Sequence, residues 1–144
     1  MIFLNANLFL RFLTQPTDGN SRRFQQIASD LLLDIRAGAV EASTSELVIH
    51  EVCFVLTSKR QYGLSHDDAI RMLRPILGLN ALKFSLGDKR IILRGFEIWE
   101  RNPRLEFADS VIAARCEANG WELATFDEDL GTFPTVTRWH PESR

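Results

Sequence analysis

Cysteine is scarce in this chain. There are two, Cys53 and Cys116, and no motif surrounds either of them. Both fall in apolar helical patterns, which marks them as small core residues in a reducing compartment and not as a disulfide or a metal pair. Long apolar runs are missing too: none approaches the roughly 18–20 residues of a membrane span. Asn5, Asn7 and Arg11 interrupt the first stretch, so a signal peptide is not expected there, and cytoplasmic residence is. No strong charge of either sign is present. A formal net charge of −2 excludes a strongly basic nucleic-acid sleeve while allowing a local basic patch. Glycine-rich phosphate loops of the Walker or Rossmann kind are absent. So is the G-x-S-x-G elbow of a serine hydrolase, and His50, His66 and His140 have no spacing that fits a metal site.

What is present is an alternation of short apolar runs and helical periodicity, without internal repeats, low-complexity tracts or linkers. The 144 residues are expected to form one domain, 1–144, large enough to bury a core without staples. Strands are expected at 2–4, 39–43, 82–84, 121–124 and 135–137. Ile2-Phe3-Leu4 is apolar throughout, as a central strand buried on both faces should be. A short helix follows it to Leu13. Phe24, Ile27, Ala28, Leu31, Leu32 and Ile35 make a 3.6-residue stripe over 21–37 that ends at Gly38. Ser45 is placed to cap a helix over 45–60, and Ser65 another over 65–77 with Asp68 in a capping-box position. Further helices are expected over 88–100, broken by Asn102-Pro103, and over 107–119, stopped by Gly120. Strands alternating with helices imply an α/β fold. The expected architecture is a three-layer α/β/α sandwich around a mostly parallel sheet of four to five strands.

Four positions carry groups that could do chemistry. Asn5 sits just past the carboxyl end of the first strand, where α/β proteins place ligand-binding groups. Glu51, in SELVIHEVCFVL, is surrounded by so many apolar residues that burial is expected, and a buried carboxylate must be paired, protonated or bound to a cation. The plainer alternative is a narrow polar seam with Glu46, His50 and Ser58. Asp109, in LEFADSVIAARC, begins a helix, and taken alone it reads as a cap. Asp127, in WELATFDEDLG, ends a strand in what could be a tight acidic turn. Acids from separate segments gathered at one sheet edge repel each other unless a divalent cation neutralises them. All the candidate donors are oxygens, which suits Mg²⁺ or Mn²⁺ and disfavours zinc.

The order of these segments resembles a known family. An apolar strand leads into N-x-N-x-x-x-R (Asn5 to Arg11), then H-E-V-x-x-V-L, F-A-D-x-x-I-A-A and L-A-T-F-D-x-D-L follow, with Y-G-L-S between two helices. Together they resemble the PIN domain and, more narrowly, the VapC toxins, the ribonuclease halves of toxin–antitoxin pairs. The resemblance covers essentially the whole chain. It implies a metal-dependent endoribonuclease in which Glu51, Asp109 and Asp127 hold Mg²⁺ or Mn²⁺, with Asp129 contributing and Asn7 and Thr125 as polar supports. It also implies an RNA substrate, a cognate antitoxin and a homodimer.

The family's first acid falls on position 5, where this chain has Asn5. A carboxamide can imitate the shape of a carboxylate without its charge. Losing one unit charge about 4 Å from a cation costs up to about 4 kcal/mol at an effective dielectric near 20. The chain as written is therefore expected to bind metal poorly and to be inactive or impaired. The rival reading is a catalytically silent PIN-like module that holds RNA or a protein. A receiver or aspartyl-phosphate phosphatase fits less well, because position 5 is neutral and no lysine follows Lys89. RNA needs a basic rim, and Arg11 is its best candidate; Arg22, Arg23, Lys59, Arg60, Arg101 and Arg104 read mostly as a solvated face.

Overall fold

Three short strands, β1 (Ile2–Phe3), β2 (Ala42–Ser45) and β3 (Leu82–Leu86), form a parallel sheet in the order β1-β2-β3. The structure is a computed structural model that describes residues 1–125, 127–131 and 133–139. It divides into two compact units, Met1–Lys89 and Arg90–Arg144. The first holds the sheet together with α1 (Ala6–Leu13), α2 (Gly19–Arg36), α3 (Glu46–Thr57) and α4 (His66–Leu77). A parallel open sheet flanked by helices makes the class α/β, consistent with the expected three-layer sandwich.

The central strand is not the one its hydropathy suggested. β2, with the sequence ASTS, lies between the other two and is buried along its whole length. β1 is at the edge of the described sheet, with Ile2 and Phe3 exposed and only Leu4 beyond them fully buried. A buried strand of hydroxyls is stable because each hydroxyl finds a partner. Thr44 Oγ1 donates to the Leu4 carbonyl at 3.0 Å, Ser43 Oγ pairs with Ser85 Oγ on β3, and Ser45 Oγ accepts the Val48 N–H at the start of α3. These side-chain bonds tie the strands laterally in addition to the backbone ladder.

Capping residues set the element boundaries. Asp18 and Ser21 form a reciprocal capping box, which starts α2 two residues earlier than the apolar stripe indicated. At the far end, the Ala39 and Val40 N–H groups both turn back to the Asp34 carbonyl. That wrap delays β2 to Ala42. Ser45 and Ser65 cap α3 and α4 as expected. α3 ends at Thr57 instead of 60, because Gly63 N–H bonds the Ser58 carbonyl and Leu64 N–H the Leu56 carbonyl.

The second unit is built on α5 (Lys89–Arg101), whose first residue belongs to the first unit, with α6 (Phe107–Asn119) and the single turn α7 (Glu128–Gly131). Gly95 on α5 lets the two long helices approach closely: a Cβ there would stand 3.0 Å from Val111 Cγ2. Phe107 packs against Phe96 and Trp99, with ring centroids 5.3 and 5.2 Å apart. The buried indole N–H of Trp99 is satisfied by the Leu105 carbonyl. The expected strands at 121–124 and 135–137 reduce to one isolated parallel bridge between Leu123 and Arg138. Trp121, Glu122 and Ala124 remain exposed and Leu123 is half-buried, so little burial here supports pairing beyond that bridge. Among the described residues the sheet has three strands, not four to five. No helix among them is long and apolar enough to cross a membrane.

Arg94 on α5 grips Glu117 on α6 with two bonds, Nε to Oε1 at 2.9 Å and Nη2 to Oε2 at 3.1 Å. The guanidinium holds the Glu117 carboxyl below its ordinary range; burial opposes this and the Thr135 hydroxyl adds to it. A lowered folded-state pKa adds stability above the unfolded value and loses it as pH falls through the folded one. About a third of each side chain stays in water, so the contribution is small. Glu117→Gln is expected to destabilise the protein by about 0.5–1 kcal/mol at pH 7. In chemical-denaturation curves, that difference should close as pH drops below 4.5.

Candidate functional site

Parallel strands share one carboxyl edge, and in the first unit Asn5 follows β1, Glu46 follows β2 and Asp88 follows β3. Asn5 is exposed and is the N-cap of α1: its Oδ1 accepts the Ala6 N–H at 2.8 Å. Glu46 is half-buried and lies over Gly87, which has φ +90° and no room for a Cβ beside the Glu46 carboxylate. One turn further along α3, burial pushes the His50 imidazole down from its ordinary value and Glu46 opposes that push. Glu46 was read from the sequence only as part of a seam. Its position directly after a strand is the signal that sets it apart, because that register, not helical periodicity, decides what reaches the sheet edge.

Glu51 departs from expectation: it is exposed. Val48, Ile49, Val52, Cys53 and Leu56 form the buried face of α3, while Leu47 and Phe54 remain 78% and 70% exposed. Residues 47, 51 and 54 are spaced i, i+4 and i+7 along one stripe. Glu51 therefore lies between two exposed apolar side chains, and its carboxylate carries no desolvation cost of burial. An apolar count around a helix cannot reveal which side is covered. Among the described residues, Glu51 forms no hydrogen bond or ion pair.

In the second unit, the candidate acids organise helix starts. Asp109, half-buried, accepts the Glu106 N–H on Oδ2 at 3.2 Å at the first turn of α6. Asp127 is exposed and accepts from the Asp129 and Leu130 N–H groups on the same oxygen, Oδ1, at 2.9 and 3.2 Å. Its own N–H donates to Thr125 Oγ1 at 3.0 Å. Thr125, Asp127 and Asp129 thus form one connected turn, and Arg104 approaches Asp129 at 3.9 Å. Asp109 has no hydrogen bond to that turn among the described residues.

On α1, Asn7 and Arg11 are both exposed, one turn apart, and the Arg11 guanidinium lies 5.3 Å from the centre of the Phe24 ring. Arg22, Arg23, Lys59, Arg60, Arg101 and Arg104 are exposed as well. His140 lies outside the described residues. Within either unit, no three described His, Cys, Asp or Glu side chains gather closely enough to hold a metal ion.

The family model of the PIN domain matches residues 2–135, running through both units and all four candidate segments. The chain belongs to the PIN domain family. PIN domains are α/β folds and in general metal-dependent nucleases, hydrolases that act on RNA or other nucleic acids. No curated protein matches the chain. The donor chemistry suits the divalent cations that PIN nucleases typically use. Among the described residues, Asp109 and Asp127 each bond backbone N–H groups through one carboxylate oxygen. Anchoring one carboxylate oxygen orients the other, the usual way that outer hydrogen bonds support a hard-metal ligand.

The cap at position 5 can be separated from any role in chemistry. Asn and Asp cap helices about equally well, and alanine costs about 1 kcal/mol. In a chelated, metal-free sample, Asn5→Asp is expected to leave the thermal midpoint unchanged within about 1 °C. Asn5→Ala is expected to lower it by several degrees.

Proposed function

We propose that this chain is a PIN ribonuclease of the VapC toxin type, one domain spanning 1–144, with its first acidic ligand replaced by Asn5. What carries this reading is the family match across 2–135 together with three carboxylates, Glu51, Asp109 and Asp127, in the order that the resemblance assigns to metal-holding acids. Asp129 contributes charge beside Asp127, Thr125 fixes the turn through its hydroxyl, and Asn7 lies in the first turn of α1 as a polar support. The RNA substrate would be held at its phosphates by Arg11. A cognate antitoxin, a homodimer and a cytoplasmic site of action belong to the same reading.

Mg²⁺ or Mn²⁺ would supply the Lewis acidity and the lowered water pKa that phosphodiester hydrolysis requires. The chain's own residues perform the positioning. Glu51, Asp109 and Asp127 provide negative charge from the stem of α3, the first turn of α6 and the start of α7. Asn5 provides a carbonyl oxygen in a cap geometry that aspartate would share. On this reading position 5 lacks only a charge, and a single substitution should be enough to recover function.

A second reading follows from Asn5 itself. A carboxamide content with its capping role is what a silent, RNA- or protein-holding PIN module would keep. Restoring the acid separates the two. Asn5→Asp is expected to raise Mn²⁺-dependent cleavage of single-stranded RNA by between about tenfold and a thousandfold, in line with the return of one unit charge near a cation. It should also tighten Mn²⁺ binding in calorimetry. Adding Glu51→Gln should remove both gains. Should Asn5→Asp neither cut RNA nor bind Mn²⁺ more tightly, the silent module would be the correct description.

A further inference from the structure

The first 29 residues contain three arginines, Arg11, Arg22 and Arg23, and a single acid, Asp18, in a chain whose net charge is −2. Asp18 is committed to capping: its carboxylate accepts the Ser21 N–H at 2.7 Å and the Ser21 hydroxyl at 2.9 Å. Of the three arginines, Arg11 stands where α1 packs against α2. A depression of about 340 Å³ opens there, lined by Asn7, Leu8, Arg11, Phe24, Ile27 and Ala28. Phe24 and Ile27 are 46% and 51% exposed. The Arg11 guanidinium stands 5.3 Å from the centre of the Phe24 ring.

We propose that this depression is a nucleobase subsite for single-stranded RNA, with Phe24 as the stacking surface, Arg11 closing over the base and Asn7 bonding its edge. The proposal rests on the ribonuclease reading and deepens it by naming where an unpaired base would be held. Three features favour a base over an apolar peptide. An aromatic ring paired with a guanidinium plane offers two flat π-type surfaces, the usual platform for an unstacked base. Asn7 supplies both donor and acceptor atoms to a base edge. Arg23, one position before Phe24 on α2 and exposed at the flank of its face, gives the phosphate that accompanies a base a complementary charge. An apolar peptide would gain nothing from the Arg11 guanidinium and the Asn7 amide. Arg11 lies six residues from Asn5, about 9 Å along the α1 axis, so a base held here would be close to position 5.

The test uses the full chain as it stands and two probes: a single-stranded RNA oligomer carrying 2-aminopurine, and inorganic polyphosphate, which has the charge without the bases. Phe24→Leu preserves apolar bulk and removes the π surface; Phe24→Trp restores it. Phe24→Leu is expected to weaken RNA binding about tenfold, within the range measured for base–aromatic stacking, and to abolish the 2-aminopurine quenching. Phe24→Trp should recover both. Polyphosphate should bind all three chains equally, and Arg11→Ala should weaken both probes. RNA affinity unchanged in Phe24→Leu would overturn the subsite, and if Asn5→Asp still yields cleavage, the ribonuclease reading survives that result. Failure of the unaltered chain to distinguish RNA from polyphosphate would overturn the subsite. A change in self-association with Phe24→Leu, without a change in RNA affinity, would assign the surface to a protein contact and overturn it as well.

Discussion

Every helix that begins at the end of a strand or in a turn presents backbone N–H groups with no partner inside the helix. In this chain the need for acceptors at those points governs much of the architecture. Asn5, Asp18, Ser45, Ser65 and Asp127 each place a side-chain oxygen on a helix-start N–H, and Asp109 bonds back to the N–H of Glu106. Ser45 does so as the last residue of its parallel strand, and Asn5 two residues beyond another. The constraint that ends each strand is thus the one that brings polar oxygen to the carboxyl edge of the sheet, where PIN chemistry is expected.

Capping and catalysis draw on the same residue types for a shared reason: both need a short side chain whose oxygen has a fixed direction. A carboxylate anchored by one oxygen to a backbone N–H is held still, and its second oxygen remains available. Asp109 and Asp127 have this form. Glu51 differs from both: it projects from the stem of a helix, exposed between Leu47 and Phe54. Its interest lies in that open apolar setting, and the cost of burying a charge plays no part in it. Position 5 shows the limit of the overlap. Asn satisfies the N–H of Ala6 as well as Asp would, so folding places no demand on the charge there.

Much of the fold was readable because local rules set it. The caps at Ser45 and Ser65, the stop at Gly120 and the α/β class all follow from short-range patterns and from alternating periodicity. The errors had equally definite causes. Ile2-Phe3 looked central because it is apolar, yet the ASTS strand takes the centre by pairing its hydroxyls with Leu4 and Ser85. Residues 121–124 read as a strand, but among the described residues only Leu123 pairs, in one bridge with Arg138. Glu51 looked enclosed because hydropathy counts neighbours along the chain and not neighbours in space. Of the candidate site, the residue types and their order were visible. Glu46 over Gly87 and the Arg11–Phe24 pair were not, since both join segments far apart in sequence.

The sequence alone determined the family, the caps at Ser45 and Ser65 and the chemistry of the oxygen donors, because each depends on residue identity within a span of a few positions. Tertiary structure decided which strand is central, which face of α3 stays open to solvent and which cation stands over which ring. Those outcomes depend on what packs against a segment, and packing partners separated by many residues leave no local trace in the chain.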